Sequence, residues 1–283
     1  MKRKKIEEGF FITLMTFSTY LIIGTLILLM VVILKRGFSS LSLEMITQVP
    51  KGGFYFGKEG GILNAILGSF YLAFGATILA FIISLPAALF MNIYFTGHQK
   101  LLEYFRFFLD LLWGVPSIVF GAFGFAVMLF IGLRASLLAG MVTITLLIIP
   151  IMIRAMDEVL RTVPIGLLEA SYSLGSTKTE ISFKVFFKQA LPGIVTAVLL
   201  AFGRGIGDAA SILFTAGYTD YIPTSVMQPT ATLPLAIFFQ LSSPIPEVQE
   251  RAYASAVILT VIILVISILT RVLTKKFKEH IIS

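Results

Sequence analysis

Six long apolar stretches divide this chain, at roughly residues 10–34, 62–96, 107–133, 135–153, 192–217 and 252–273. Each reaches the ~20 residues that a helix needs to cross a bilayer, so the pattern predicts about six transmembrane helices. The first follows Met1-Lys2-Arg3-Lys4-Lys5, the layout of a secretory signal. At about 25 residues, however, the run is too long for a signal core, and it reads as an uncleaved first span. Pro86 and Pro150 fall inside apolar runs, where a proline kinks a helix and leaves backbone carbonyls for neighbours to satisfy. Pro116 and Ser117 stand where the third span is expected to break, opening backbone groups and a hydroxyl beside a cavity.

The polar segments are as informative. Gly37–Gly61 carries Pro50-Lys51-Gly52-Gly53 and Gly57-Lys58-Glu59-Gly60-Gly61, a glycine density that favours turns over regular elements. Thr219–Glu250 holds Pro223, Pro229, Pro234, Pro244 and Pro246, which forbid one continuous helix and predict short helical pieces. Residues 1–61 thus read as an anchor helix with an outer loop. Residues 62–283 read as the core, with a cytoplasmic loop at about 157–190.

Composition closes off a water-soluble fold: 57% of residues are hydrophobic, 13% are charged and the mean hydropathy is +0.96. The net charge of +7 does not form a nucleic-acid-binding stripe, because the basic residues sit at the ends of apolar runs. With both termini cytoplasmic, fifteen of the 22 Lys and Arg residues face the cytoplasm, six face outward and Arg204 falls within a span. That bias fixes the predicted orientation, and an even number of spans agrees with it.

Catalytic chemistry has little to stand on. There is no cysteine, and the two histidines, His98 and His280, lie far apart, so no metal site, disulfide or thiolate nucleophile is expected. No Ser/His/Asp set can be assembled. Glu103 and Asp110 read as interfacial anchors, and Arg154, at the cytoplasmic end of the fourth span, as a side chain able to snorkel to the interface. Gly52-x4-Gly57-Lys58 lacks the Ser or Thr that a nucleotide loop needs next, since Glu59 stands there. No cofactor is expected in this chain, and any energy from nucleotide must enter through another subunit.

The segment Asp157–Gln189 is too long for a tight connection and too rich in Leu, Ile and Phe for a disordered linker. Within it, Glu169-Ala170-Ser171-Tyr172-Ser173-Leu174-Gly175 predicts a short helix ended by glycine. Leu167, Leu168, Ala170 and Leu174 would offer one face to a partner groove. This stretch resembles the docking loop of ABC importer permeases, although Val185, Phe187 and Lys188 replace that family's usual Ile, Leu and Pro. Leu191-Pro192-Gly193-Ile194 resembles a second proline step found in many members.

Four further stretches resemble the PstA family of phosphate-importer permeases: Trp113–Gly121, Phe202–Asp208, Phe214–Gly217 and Met227–Pro234. The resemblance covers about residues 60–275. It implies an all-α membrane protein with the type I ABC importer permease fold, located in the inner membrane of a prokaryote. It further implies a non-catalytic subunit acting with a second permease (PstC-like), an ATPase dimer that binds ATP and Mg (PstB-like) and an extracytoplasmic phosphate-binding protein (PstS-like). Glu169, Ala170, Ser171, Leu174 and Gly175 would couple to the ATPase, and Arg204, Asp208, Arg154, Pro116 and Ser117 would line the substrate path. Asp208-Ala209 departs from the Gly-Glu-Thr usual after the family's arginine.

Two readings of Arg204 stand open. It neutralises Asp208 one turn later, or it offers its planar donor fork to a passing oxyanion. Gly203, Gly205 and Gly207 likewise suit either helix packing or close substrate approach. Other cargoes, such as sulfate, molybdate or tungstate, and an ATP-independent anion transporter are the rival functions.

Overall fold

The computed structural model describes residues 2–51, 59–95 and 97–278. Pro50–Lys51 and Glu59–Gly60 pair as a two-residue antiparallel hairpin (β1, β2), and every other regular element among the described residues is helical. Five helices are long and apolar enough to span a bilayer: α1 (Lys2–Gly37), α3 (Leu63–Ile93), α6 (Leu137–Leu160), the run ending in α9 (Phe187–Ile206) and α11 (Pro246–Lys278). Among the described residues, α4 (Gln99–Gly114) and α5 (Ser117–Phe130), which meet at 94°, are together apolar enough to count as a sixth candidate span. The third expected span is therefore broken. Pro116 caps α5 with extended ψ, and α5 alone rises only about 21 Å, short of a ~30 Å hydrocarbon core.

α3 and α6 form the central pair. Ala73, Ala76, Ala80 and Ala88 are fully buried along α3, so the backbones approach closely enough for the Thr145 hydroxyl of α6 to donate to the Ala76 carbonyl at 3.2 Å. Ile144, Ile148, Met152 and Met156 of α6 fill the space toward Ile194 and Ala201 of α9. Pro86, Pro150 and Pro192 lie inside helices that continue past them. α1 is exposed along its apolar length and joins the bundle near its C-terminal end. There Gly37 lies against Tyr253 of α11, and Arg36 stacks on that ring.

The fifth helix ends at Ile206, not near Gly217 as the apolar run suggested. Residues 207–232 contain no helix and fold into the bundle, with Ser211, Thr215, Ala216, Thr230 and Ala231 all buried. Irregular backbone tolerates that burial because its polar groups are used. The carbonyls of Thr215, Gln228 and Val226 accept from the Ser136, Leu137 and Leu138 amides at 2.8–2.9 Å, serving the otherwise orphaned first turn of α6. On the same side, α10 (Leu233–Leu241) is a short helical piece within the proline-rich segment, capped by Thr232. The loop 37–61 is more regular than its glycines suggested. It holds a 3-10 turn at Phe38–Ser40, α2 (Leu43–Thr47) and the hairpin, and residues 52–58 lie outside the described residues.

Candidate anion path and coupling surface

Three constellations follow from this arrangement. The first surrounds Arg204. Because α9 stops at Ile206, Arg204 occupies its last turn instead of the middle of a span, and its side chain is 50% exposed. Its Nη2 lies 3.5 Å from Asp208 Oδ1, a long pairing, while Asp208 Oδ2 accepts the Ser211 amide at 2.8 Å and so shapes the turn that carries the chain back into the bundle. Asp208 is 5% exposed and is held chiefly by this turn. The guanidinium looks into a groove of about 510 Å³ walled by Trp113, Ile151, α9 and α11. Gly203 opens on the groove, with no atom within 4 Å of the place a Cβ would take, whereas Gly205 lies against Ile144 and serves helix packing. Pro116 and Ser117 form the bend just beyond Trp113 and are not among the groove's walls.

The second constellation is built on Arg154, which is held in a cluster of ion pairs. Its Nε donates to Asp110 Oδ1 at 2.7 Å, and its Nη1 contacts Asp157 Oδ2 at 3.0 Å and Glu158 Oε1 at 3.1 Å, with the side chain 18% exposed. Asp110 of α4 is thus an ion-pair partner and not a free interfacial anchor. Asp157, fully buried, also accepts two bonds from Arg106 of α4, at 2.8 and 2.9 Å, and one from Asn92 of α3 at 2.9 Å. α6 continues through Asp157 to Leu160, so the connection to α7 begins at Arg161. Sequence reasoning missed Asn92, Arg106 and Asp157. The available signal was Arg154-Ala155-Met156-Asp157-Glu158, whose i,i+3 and i,i+4 carboxylates mark one charged helix face.

The third is the segment that resembles a docking loop, and it folds as the expected helix–turn–helix. α7 (Ile165–Ser173) ends at Leu174, and Gly175 takes φ +76°, the left-handed conformation that closes a helix most readily as glycine. Thr177 and Glu180 then form a capping box over α8 (Lys178–Glu180), and a π-helical turn, Ile181–Phe186, leads into α9. The outward face differs from the one expected. Leu167 and Leu168 pack on the molecule's own core, and Ser171 is buried with its hydroxyl on the Leu167 carbonyl at 2.6 Å. Glu169, Ala170 and Gly175 remain exposed, and Leu174 projects with 85% of its surface free. Tyr94 at the end of α3 holds the segment from behind, through its hydroxyl 3.1 Å from Thr179 and its ring beneath Lys178.

Residues 84–279 match the family described as "Binding-protein-dependent transport system inner membrane component". The chain is 34% identical over 246 residues to the phosphate transport system permease protein PstA of Yersinia pestis, covering 87% of this chain and 82% of that one. It is 31% identical to PstA of Haemophilus influenzae, covering 84% and 83%, and 33% identical to PstA of Mycobacterium leprae, covering 94% and 87%. Its fold is similar to a chain of the MetNI methionine ABC transporter solved in inward facing conformations, with a TM-score of 0.62 and 20% identity over 76% of this chain and 95% of that one. The chain therefore belongs to the binding-protein-dependent transport system inner membrane components, and within them to the PstA family of phosphate transport system permease proteins.

Proposed function

We propose that this chain is a transmembrane subunit of an ATP-driven importer that carries inorganic phosphate into the cytoplasm. The observation that carries the reading is Arg204: a half-exposed guanidinium in an otherwise largely apolar groove, its one carboxylate partner among the described residues 3.5 Å away, with that carboxylate's other oxygen accepting a backbone amide. A charge so placed is costly unless it meets water or an anion. A planar fork of donors suits a tetrahedral oxyanion.

The exposed face of α7 supports docking of a separate ATPase dimer, which supplies ATP and Mg binding and hydrolysis. A second permease completes the path, and an extracytoplasmic phosphate-binding protein delivers the cargo. Both termini and α7 then lie in the cytoplasm, as the placement of Lys and Arg favours. Arg154 and Asp157 act in this scheme by holding α4 to α6 above the docking segment.

Vesicles reconstituted with the full complex should take up phosphate only with ATP inside the compartment that holds α7. Arsenate should compete, and sulfate or molybdate should not. Uptake by this chain alone without ATP would refute the proposal, and inhibition by molybdate would reassign the cargo.

A further inference from the structure

α9 and α11 run antiparallel along the groove that holds Arg204, and two contacts fix their register. Gly207 lies against Ile263, and the hydroxyls of Thr196 and Thr274 meet at 2.8 Å. Eleven residues separate the contacts on each helix, so the pair stays in step over about 16 Å. In that register Arg204 lies opposite the turn at Ile266, and Arg271 opposite Leu199. The two arginines stand about 7.5 Å apart along the helix axes, one on each wall.

Both line the same groove, whose walls contain no carboxylate among the described residues. Among the described residues Arg271 has no hydrogen-bond or ion-pair partner, and its side chain is exposed. Between the two arginines the groove offers the Ser267 hydroxyl and, from α4, the indole of Trp113, one further donor. Two cations lining one largely apolar groove raise the positive potential between them more than either does alone.

We propose that Arg271 is a second anion-binding residue, which with Arg204 forms a two-guanidinium station for a phosphate group in the groove between α9 and α11. This rests on the proposed function, since the oxyanion is taken to be the transported phosphate. Phosphate held by Arg204 at the end of α9 passes about one and a half turns along the groove to Arg271, with a donor fork at each end. The basic tail of α11, by contrast, includes Lys275, which is exposed and is not among the groove's walls.

The test compares Arg271→Gln, Arg271→Lys and Lys275→Gln in the complete complex, reconstituted in vesicles and fed radiolabelled phosphate. Arg271→Gln should lower the maximal uptake rate by at least about tenfold, the scale of losing a charge-assisted hydrogen bond. Arg271→Lys should fall between it and the unmodified complex, and Lys275→Gln, which removes the same charge, should transport normally. Thermal stability in detergent should be equal for all four, which separates a path role from a folding one. Equal uptake by Arg271→Gln and Lys275→Gln would overturn the proposal. So would a deficit seen in vesicles with phosphatidylglycerol but absent in phosphatidylcholine alone, because the arginine would then hold a lipid phosphate. If the unmodified complex takes up no phosphate, it is the underlying cargo assignment that fails.

Discussion

Removing the Asp157 carboxylate tests how α4, α3 and α6 are held together at this end of the bundle. The side chain is fully buried and receives two bonds from Arg106, one from Asn92 and one from Arg154. Asp157→Ala removes four bonds at once, but the arginines suffer unequally. Arg154 keeps Asp110 and Glu158, whereas Arg106, only 18% exposed, keeps no carboxylate among the described residues. Breaking a buried pair by deleting one partner typically costs about 3–5 kcal/mol, mostly because a charge is left without its counterpart. With a single arginine stranded, we expect about 3 kcal/mol, read as a shift in the midpoint of denaturant unfolding in detergent at unchanged slope. Arg106→Ala should cost less, since Asp157 retains Arg154 and Asn92, and the two substitutions together should fall well short of additive. Replacing both with Arg106→Met and Asp157→Leu should recover most of the loss, since a buried ion pair need not outperform apolar packing of similar volume. A cost below about 1 kcal/mol for Asp157→Ala, or strict additivity with Arg106→Ala, would refute the description of this cluster as a clasp between α4, α3 and α6.

Three other expectations follow from local geometry. Gly175→Val forces a branched residue into φ +76°, at a local cost of about 1–2 kcal/mol, and re-aims the exposed docking face; ATP hydrolysed per phosphate imported should rise sharply while the subunit stays folded. Gly68→Ala should sharply reduce recovery of folded protein, because its methyl group would overlap the Ala231 carbonyl oxygen and the Thr230 hydroxyl in the buried return loop, whereas Gly24→Ala, with open space around it, should be silent. Burial holds the Asp220 carboxyl above its ordinary value, and its buried Oδ1 has no hydrogen-bond partner among the described residues. The folded chain therefore binds that proton more tightly than the unfolded one, and its contribution is present at low pH and lost as pH rises above about 4. Asp220→Asn should flatten this part of the melting-temperature profile.

Much of the fold is legible along the chain because a bilayer imposes a single rule, that apolar length must match thickness. α1, α3, α6 and α11 stand where the apolar runs put them; α1 and α11 extend beyond their runs at both ends and α6 at its C-terminal end, where polar residues continue the helix. The rule fails where burial is no longer burial in lipid. Residues 207–217 are as apolar as a span, yet they are coil, because this segment lies against α3, α5 and α6 and exchanges backbone bonds with its neighbours. Hydropathy registers that the segment is dry and not what dries it. The docking helix was legible for another reason: Gly175 and the Thr177–Glu180 box are local signals whose meaning needs no tertiary context. Which leucines faced outward did need that context, and Leu167 and Leu168 turned inward onto the core.

The same limit separates the two arginines that family resemblance placed side by side in the path. In sequence, Arg154 and Arg204 look alike, each followed by a carboxylate within about one turn. In space, Arg154 meets three carboxylates within 3.1 Å, two from its own helix and one from α4, which engage its Nε and Nη1 and balance its charge. Arg204 meets one at 3.5 Å, whose other oxygen accepts a backbone amide, and its side chain is half exposed. An anion approaching Arg154 meets the repulsion of three carboxylates already beside it, whereas one approaching Arg204 mainly displaces water. Loss of either arginine is therefore expected to stop transport by different routes: Arg154→Gln by loosening α4 from α6 and lowering thermal stability, and Arg204→Gln with stability intact.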